Sequence, residues 1–240
     1  MSSRIPTRAV ILAGGLGTRL APYTNVFPKP LMPVGGRPIL ELVLRRLAKQ
    51  GLTEVTLAVS YLEELIRTFF GDGSRFGVRI EYLREEEPLG TVGALSLLRD
   101  LPDPCLLMNG DVLTTIDIGD MMVLHRQSGA IMTVATQRRE VKIDYGVLEI
   151  DQSSRIGGYR EKPSLFYTVS AGINILGPGA LSHLRAGERC DVPELVGRII
   201  KAGEQVVAYQ ADYYWRDIGR PADYEQANQE FATLSSQFGL

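Results

Sequence analysis

The chain has few of the residues that carry covalent and transition-metal chemistry. Two cysteines, Cys105 and Cys190, in 240 residues exclude a disulfide framework. They leave a reducing, cytoplasmic compartment as the expectation. Only two histidines occur, His125 and His183. Both fall in helical patterns, are expected at surface or boundary positions, and offer neither a metal centre nor a Ser/Cys–His nucleophile pair. No charge dominates: 26 Lys and Arg against 28 Asp and Glu leave a net −2. That excludes the strong basic footprint of non-specific nucleic-acid binding. No apolar run reaches the length of a membrane span, and the opening residues MSSRIPTR lack a secretory signal's apolar stretch. What remains is an ordinary balance, 45% hydrophobic and 22% charged, with length for one large α/β unit and a buried core.

Glycine and proline, by contrast, are concentrated in residues 12–31, LAGGLGTRLAPYTNVFPKPL. An apolar strand reaches Leu12 and Ala13 and runs into Gly14, Gly15, Leu16, Gly17, Thr18 and Arg19. Glycines let backbone N–H groups close on phosphate oxygens. Arg19 adds a planar fork of charged donors. Lys29 adds a second cation on a loop stiffened by Pro28 and Pro30. A loop built this way suits a polyphosphate. Two alternatives fail on spacing. G-x-G-x-x-G needs a third glycine where Leu20 stands, and G-x-x-x-x-G-K-[ST] needs a lysine that does not follow Gly17. A purely structural turn explains the glycines but not Arg19 and Lys29.

Along the chain, strand-like runs alternate with helical periodicity. Strands are expected over Arg8–Ala13, Glu54–Ser60, Val78–Leu83, Cys105–Asn109 and Ala130–Thr136. Helices are expected around Ile39–Leu47 and over Tyr61–Phe70, Thr91–Asp100 and Asp117–Gln127. The alternation predicts an α/β fold, a mostly parallel sheet with helices on both faces. After about residue 140 the pattern changes. Tyr145–Ile150, Ile156–Arg160, Val169–Leu176 and Gln205–Gln210 read as strands, and Pro193–Lys201 and Pro221–Thr233 as helices. The expectation is one domain over 1–240 with two lobes, about 8–140 and about 141–232, the second extending the sheet and supplying one wall of a cleft.

Two carboxylates stand out. Asp111 follows a strand end in Met108-Asn109-Gly110-Asp111, where open α/β sheets bind ligands. Beside a polyphosphate it suits Mg²⁺, which takes few protein carboxylates plus phosphate oxygens; as a turn N-cap it reads equally well. Asp217, in Trp215-Arg216-Asp217-Ile218-Gly219, reads alone as a cap for the helix starting near Pro221.

The two segments Gly14–Thr24 and Pro28–Leu40 resemble the pattern GGxGTRLxPxT followed by PKPLxPVxGxPxL of the sugar-1-phosphate nucleotidyltransferases. The resemblance covers roughly residues 8–232 and implies a Rossmann-like mixed sheet with a small sugar-binding lobe. It implies that Leu12, Ala13, Gly14, Gly15, Gly17, Thr18 and Arg19 hold the nucleotide, and that Asp111 and Asp217 hold Mg²⁺. Glu161-Lys162-Pro163 resembles the family's E-K-P element, with Glu161 on sugar hydroxyls and Lys162 on the sugar phosphate. Tyr145-Gly146-Val147 resembles its Y-G-V element beside the sugar. Trp215 is by residue type more often a core residue than a stacking partner; beside Asp217 the other reading is a wall of the sugar pocket. Glu85-Glu86-Glu87-Pro88-Leu89-Gly90-Thr91 is by residue type a solvated acidic loop; it resembles the base-reading loop, with Glu85, Pro88, Gly90 and Thr91 facing the base. A carboxylate there accepts from guanine N1–H and N2–H, and the form is most similar to mannose- and heptose-1-phosphate guanylyltransferases. Ser170-Ala171-Gly172 stands where many relatives have N-A-G on the sugar-contacting strand, which puts Ser170 and Gly172 at the sugar phosphate; the serine, a hydroxyl in place of an amide, departs from the family and points to an unusual hexose, a heptose or a cyclitol. Some relatives carry a C-terminal β-helix or regulatory domains; neither is expected in this length.

The resemblance implies transfer of a nucleotidyl group from an NTP, GTP favoured over UTP, ATP, CTP or dTTP, to a sugar 1-phosphate. Arg19, Lys29, Asp111, Lys162 and Asp217 carry the catalysis. The partners are the two substrates, without nucleic acid or membrane, and relatives suggest a homodimer or homotetramer. Two other classes weigh less. A glycosyltransferase should lack the G-G-x-G-T-R loop, and a silent nucleotide-sugar sensor should have lost Arg19, Lys29 or a metal aspartate.

Overall fold

The computed structural model describes residues 6, 8–85, 87, 89–98 and 104–238. In chain order the elements begin with β1 (Ala9–Leu12), β2 (Pro33–Val34), β3 (Arg37–Pro38), α1 (Ile39–Lys49), β4 (Glu54–Val59), α2 (Glu63–Phe70) and β5 (Arg79–Arg84). There follow α3 (Gly90–Gly93), β6 (Cys105–Asn109), β7 (Val112–Thr114), α4 (Ile118–Ser128), β8 (Met132–Lys142), β9 (Val147–Ile150) and β10 (Ile156–Arg160). The last are β11 (Ser164–Leu176), α5 (Pro178–Leu181), α6 (Val192–Lys201), β12 (Val206–Tyr209), β13 (Trp215–Asp217) and α7 (Pro221–Leu234).

Seven strands form one sheet in the order β12-β8-β11-β6-β1-β4-β5. β6, β1, β4 and β5 run parallel, and β12 runs parallel to β8. β11 alone runs against its neighbours, pairing antiparallel with both β6 and β8. Alternation along β1 explains the two faces. Ala9 and Ile11 pack with Leu40, Leu44 and Leu47 of α1, Ile66 of α2 and Met121 of α4. Val10 points the other way and packs with Leu195 and Ile199 of α6 and Leu107 of β6. Strands buried on both faces read as unbroken apolar runs, which is why this half was legible. The mostly parallel sheet with helices on both faces is the architecture the sequence predicts.

A third apolar cluster lies at the edge, where Met32, Val34 and Leu42 meet Ile218, Ala227 and Phe231. It anchors α7 against the segment that carries Lys29. Gly35 is required there, since its φ is +58° and a Cβ would fall 1.9 Å from the Phe231 ring.

The structure departs from expectation in three places. Of the helix expected over Thr91–Asp100, the described residues hold a single turn, α3, and a 3₁₀ turn over Ala94–Leu97; residues 99 and 100 lie outside the described residues. The amides of Val92 and Gly93 donate to the Cys190 carbonyl, so this first turn is held from outside the helix. β8 and β11 extend well past the expected strands and form a two-stranded arm in which Ser164 pairs with Lys142. Residues 137–142 are not buried on either face, so no apolar alternation announces them. His125 is buried in α4 with Nδ1 2.8 Å from Thr133 Oγ1, rather than at the surface.

Candidate active site

β1 is the point where successive strands diverge, toward β4 on one side and β6 on the other. Open α/β sheets bind ligands at the carboxyl ends of such strands. A cavity of about 300 Å³ lies there, lined by Leu12, Ala13, Gly14 and Gly15 after β1, Ser60 after β4, and Asn109, Gly110 and Asp111 after β6. Gly110 lets the two strand ends touch: its amide donates to the Leu12 carbonyl at 2.9 Å, and a Cβ would sit 2.8 Å from that oxygen.

Each loop glycine has a different reason. Gly14 lies against the backbone of Ser60, 3.0 Å from where its Cβ would be. Gly17 has φ +63°, and a Cβ would stand 2.9 Å from Thr24 Cγ2 and 3.3 Å from Lys29 Cβ. Thr24 Oγ1 donates to the Gly17 carbonyl at 2.9 Å and braces the loop from behind. Gly15 has neither a left-handed φ nor any neighbour within 4 Å of a Cβ. The fold itself therefore leaves room for a side chain at Gly15.

Asp111 and Asp217 are brought together by a short antiparallel pair, β7 with β13, in which Asp217 lies opposite Val112. The Ile218 amide donates to the Asp111 carbonyl at 3.0 Å. Lys29, buried in the 3₁₀ turn between Pro28 and Leu31, ion-pairs with Asp111 Oδ2 and lies 4.0 Å from Asp217 Oδ1. The Arg19 guanidinium flanks the same spot, since a Cβ on Gly219 would be 3.0 Å from Arg19 Nη2 and 3.3 Å from Asp217 Oδ1. Burial, and then the charge of Asp111, push the Asp217 carboxyl above its ordinary range; Lys29 and Arg19 only partly oppose this. Asp111 Oδ1 is buried with no hydrogen-bond partner.

These features fit a divalent cation. An orphaned carboxylate oxygen and a neighbouring carboxyl held partly against ionisation are what a cation relieves. Among the described residues no cluster of three or more His, Cys, Asp or Glu exists. A cation on Asp111 and Asp217 would therefore need ligand oxygens, the usual arrangement for Mg²⁺ with phosphates.

Glu85, Gly90 and Thr91 line the far side of the same cavity; Pro88 lies outside the described residues. Glu85 Oε2 accepts from the Leu89 amide at 3.0 Å, folding the loop back on itself. Gly90 has φ +80°, and a Cβ would fall 2.6 Å from the Cys190 carbonyl oxygen. Thr91 is clamped: its amide and hydroxyl donate to Asp191 Oδ1 at 2.9 and 3.2 Å, and its hydroxyl accepts from the Val192 amide at 2.9 Å. Asp191 was missed in the sequence because an aspartate before Val192 and Pro193 reads as a helix N-cap. Its carboxylate caps nothing in α6 and crosses to Thr91 instead.

A second cavity, about 500 Å³, shares Thr91 and Asn109 with the first and is lined also by Ser170 and Gly172. Trp215 does not line either cavity; its Nε1 donates to the Ala171 carbonyl at 2.8 Å and props β11 between those two residues. Tyr145, Gly146, Glu161 and Lys162 sit on or beside the β9–β10 hairpin, all exposed but the half-buried Gly146, and line neither cavity. Tyr159 covers Gly146, where a Cβ would meet its hydroxyl at 2.1 Å, and donates to Glu161 Oε2 at 2.9 Å. Lys162 has φ +43°, a strained backbone for a residue with a side chain.

The family pattern described as nucleotidyl transferase matches residues 8–233. The chain belongs to this family. A UTP–glucose-1-phosphate uridylyltransferase of Synechocystis sp. is 33% identical over 92% of this chain and 62% of its own length. The catalytic subunit beta of a mannose-1-phosphate guanylyltransferase from Danio rerio is 36% identical over 90% of this chain and 62% of its own. The chain thus spans 62% of the length of these curated relatives. The solved structure of HddC from Yersinia pseudotuberculosis, in complex with GMP-PN, superposes with a TM-score of 0.69 at 25% identity, covering 94% of this chain and 99% of that one. As the resemblance implied, the relatives are sugar-1-phosphate nucleotidyltransferases. No described helix of this nucleotidyl transferase family member is long and apolar enough to cross a membrane.

Proposed function

We propose that the protein transfers a nucleotidyl group from an NTP to a sugar 1-phosphate, releasing pyrophosphate. The observation that carries this reading is the meeting of the glycine loop, two cations and two carboxylates at the carboxyl ends of β1 and β6. A sugar-phosphate oxygen attacks the α-phosphorus; that P–O bond forms as the bond to the β-phosphate oxygen breaks. A phosphate monoester has a second pKa near ~6, so the nucleophile is ionised at neutral pH and needs no general base. The barrier is repulsion between anions, so positioning and charge neutralisation supply the catalysis. Leu12 to Thr18 hold the triphosphate by backbone donors, and Arg19 neutralises the departing pyrophosphate. Lys29 leaves the carboxylates for the phosphates. Lys162 and Glu161, with Tyr145 and Gly146, come from the arm to hold the sugar phosphate, which divides the domain into lobes of about 8–140 and 141–232. Asp111 and Asp217 would hold Mg²⁺, which supplies Lewis-acid neutralisation of phosphate charge.

GTP is the favoured donor. Glu85 lines the cavity beside Gly90, and a carboxylate accepts from guanine N1–H and N2–H while repelling the carbonyl oxygens of uracil or thymine. The guanylyltransferase relative and the GMP-PN complex support the same base; the uridylyltransferase relative supports UTP. The protein acts in the cytoplasm as a homodimer or homotetramer. The test is pyrophosphate release with Mg²⁺ across GTP, UTP, CTP, ATP and dTTP, each against hexose, heptose and cyclitol 1-phosphates. Release that needs both partners, fastest with GTP, is expected. Tight nucleotide or nucleotide-sugar binding with no release overturns the enzyme in favour of a sensor.

A further inference from the structure

Asn174 is out of place in the sheet. It sits on β11 between the buried Ile173 and Ile175, is itself 2% exposed, and its side-chain oxygen is buried without a hydrogen-bond partner. Native proteins rarely keep such a group unless something else uses it. The strand geometry around it is irregular. Pairing of β11 with β8 shifts register between Ser170 and Asn174, and Gly172 within the shift has φ +70°. A Cβ on Gly172 would stand 2.6 Å from the Asn109 amide nitrogen. Irregularities of this kind re-aim side chains beside binding sites. Here Asn109, Ser170 and Asn174 all line the second cavity, which shares Thr91 and Asn109 with the first. Its remaining lining includes Val134, Val192 and Val196, and it contains no charged side chain.

We propose that Asn174 is a specificity-determining residue that hydrogen-bonds a ring hydroxyl of the acceptor, and that the acceptor is a neutral, polyhydroxylated 1-phosphate. The assignment rests on the nucleotidyl-transfer reading. It commits this cavity to the part of the acceptor remote from its phosphate. Asn109, Ser170 and Asn174 offer uncharged donors and acceptors that suit hydroxyl groups. A uronate or an amino sugar would bring a charge into a cavity whose lining carries no counter-charge, and such desolvation is costly. A site built to bond a hydroxyl also rejects an analogue that lacks it, because the protein group is then left unpaired.

The test uses Asn174→Leu, an apolar side chain of similar size. A merely structural amide would make this variant less stable. An orphaned amide kept for a ligand predicts a melting midpoint unchanged or raised, since the unpaired polar group is gone. KM for the neutral sugar 1-phosphate should rise roughly 10- to 100-fold, with KM for the NTP within about twofold. Uronic-acid and amino-sugar 1-phosphates should be turned over by the wild-type protein at least roughly 10-fold less efficiently than neutral ones. Lower stability with unchanged KM for the sugar phosphate overturns the assignment, as does equal use of charged acceptors. Calorimetric binding of neutral sugar 1-phosphates, without NTP, separates this from the reaction itself. Binding by the wild-type protein that Asn174→Leu weakens supports the assignment even if no pyrophosphate is released. Equal binding by both proteins, or none by either, overturns it.

Discussion

Replacing Gly15 by alanine separates what the loop needs for folding from what it needs for a ligand. Nothing lies within 4 Å of the added Cβ, and the backbone φ is not left-handed. Glycine-to-alanine changes at such positions stabilise by about 0.4–1 kcal/mol, because the unfolded chain loses freedom. In a chain of this size that raises the melting midpoint by roughly 1–4 °C. The nucleotide pocket should respond in the opposite direction. A methyl group in the lining holds a phosphate oxygen away from the loop amides, and one lost charge-assisted hydrogen bond is worth about 1.5–3 kcal/mol, roughly 10- to 150-fold in affinity. Thermal melting and KM for the NTP are the two measurements. Gly17→Ala is the contrasting variant: φ +63° and Thr24 at 2.9 Å predict a loss of roughly 1–3 kcal/mol of stability. A Gly15→Ala protein of raised stability and unchanged NTP affinity refutes the phosphate cradle.

Other outcomes follow from the same geometry. Asp111→Asn keeps the side chain's shape and an oxygen facing Lys29, whose charge still has Asp217 at 4.0 Å, so the fold should remain while turnover falls by roughly 10³-fold or more; a loss of only a few-fold would remove Asp111 from the metal site. Arg19→Ala should lower kcat on the order of 10²-fold, read by steady-state pyrophosphate release. Asp217 is an acid whose folded pKa is raised, so in metal-free protein the folded state holds the extra proton. Its contribution is present below the ordinary carboxylate range and lost as pH rises through the raised value. A divalent cation should therefore raise the melting midpoint near neutral pH and much less near pH 4, and an equal rise at both would contradict this. Asp191→Ala removes the acceptor for the Thr91 amide and hydroxyl and should cost about 2–3 kcal/mol of stability and blur discrimination among nucleobases. Asp191→Asn, which keeps an acceptor oxygen, should restore both, as read by melting and by NTP competition.

Much of the site was legible because its signals are local. Gly14 to Arg19 and Lys29 are close in sequence, and Asp111 follows an apolar strand whose end marks a ligand position. The convergence of Asp217 on Asp111 depends on the three-residue pairing of β7 with β13, which no periodicity reports. Asp191 and Asn174 were invisible for related reasons. One resembles an ordinary helix cap, and the other is a polar residue in an apolar strand whose register shift appears only when β8 and β11 pair. The β8–β11 arm was underestimated because strands held by a partner, with neither face buried, carry no alternation. The helix expected after Thr91 breaks into two short turns, the first pinned to the Cys190 carbonyl from outside the segment, a tertiary contact that no local pattern reports.

The proposed reaction makes a bond between two phosphates, and ³¹P NMR of wild-type protein with Mg²⁺, GTP and a neutral sugar 1-phosphate observes that bond directly. Nucleotidyl transfer gives the paired resonances of a pyrophosphate diester in step with free pyrophosphate, one for one, and neither signal when either substrate is omitted. Inorganic phosphate and GDP in place of the diester, or an unchanged spectrum with the same mixture and with the other four NTPs, would contradict it.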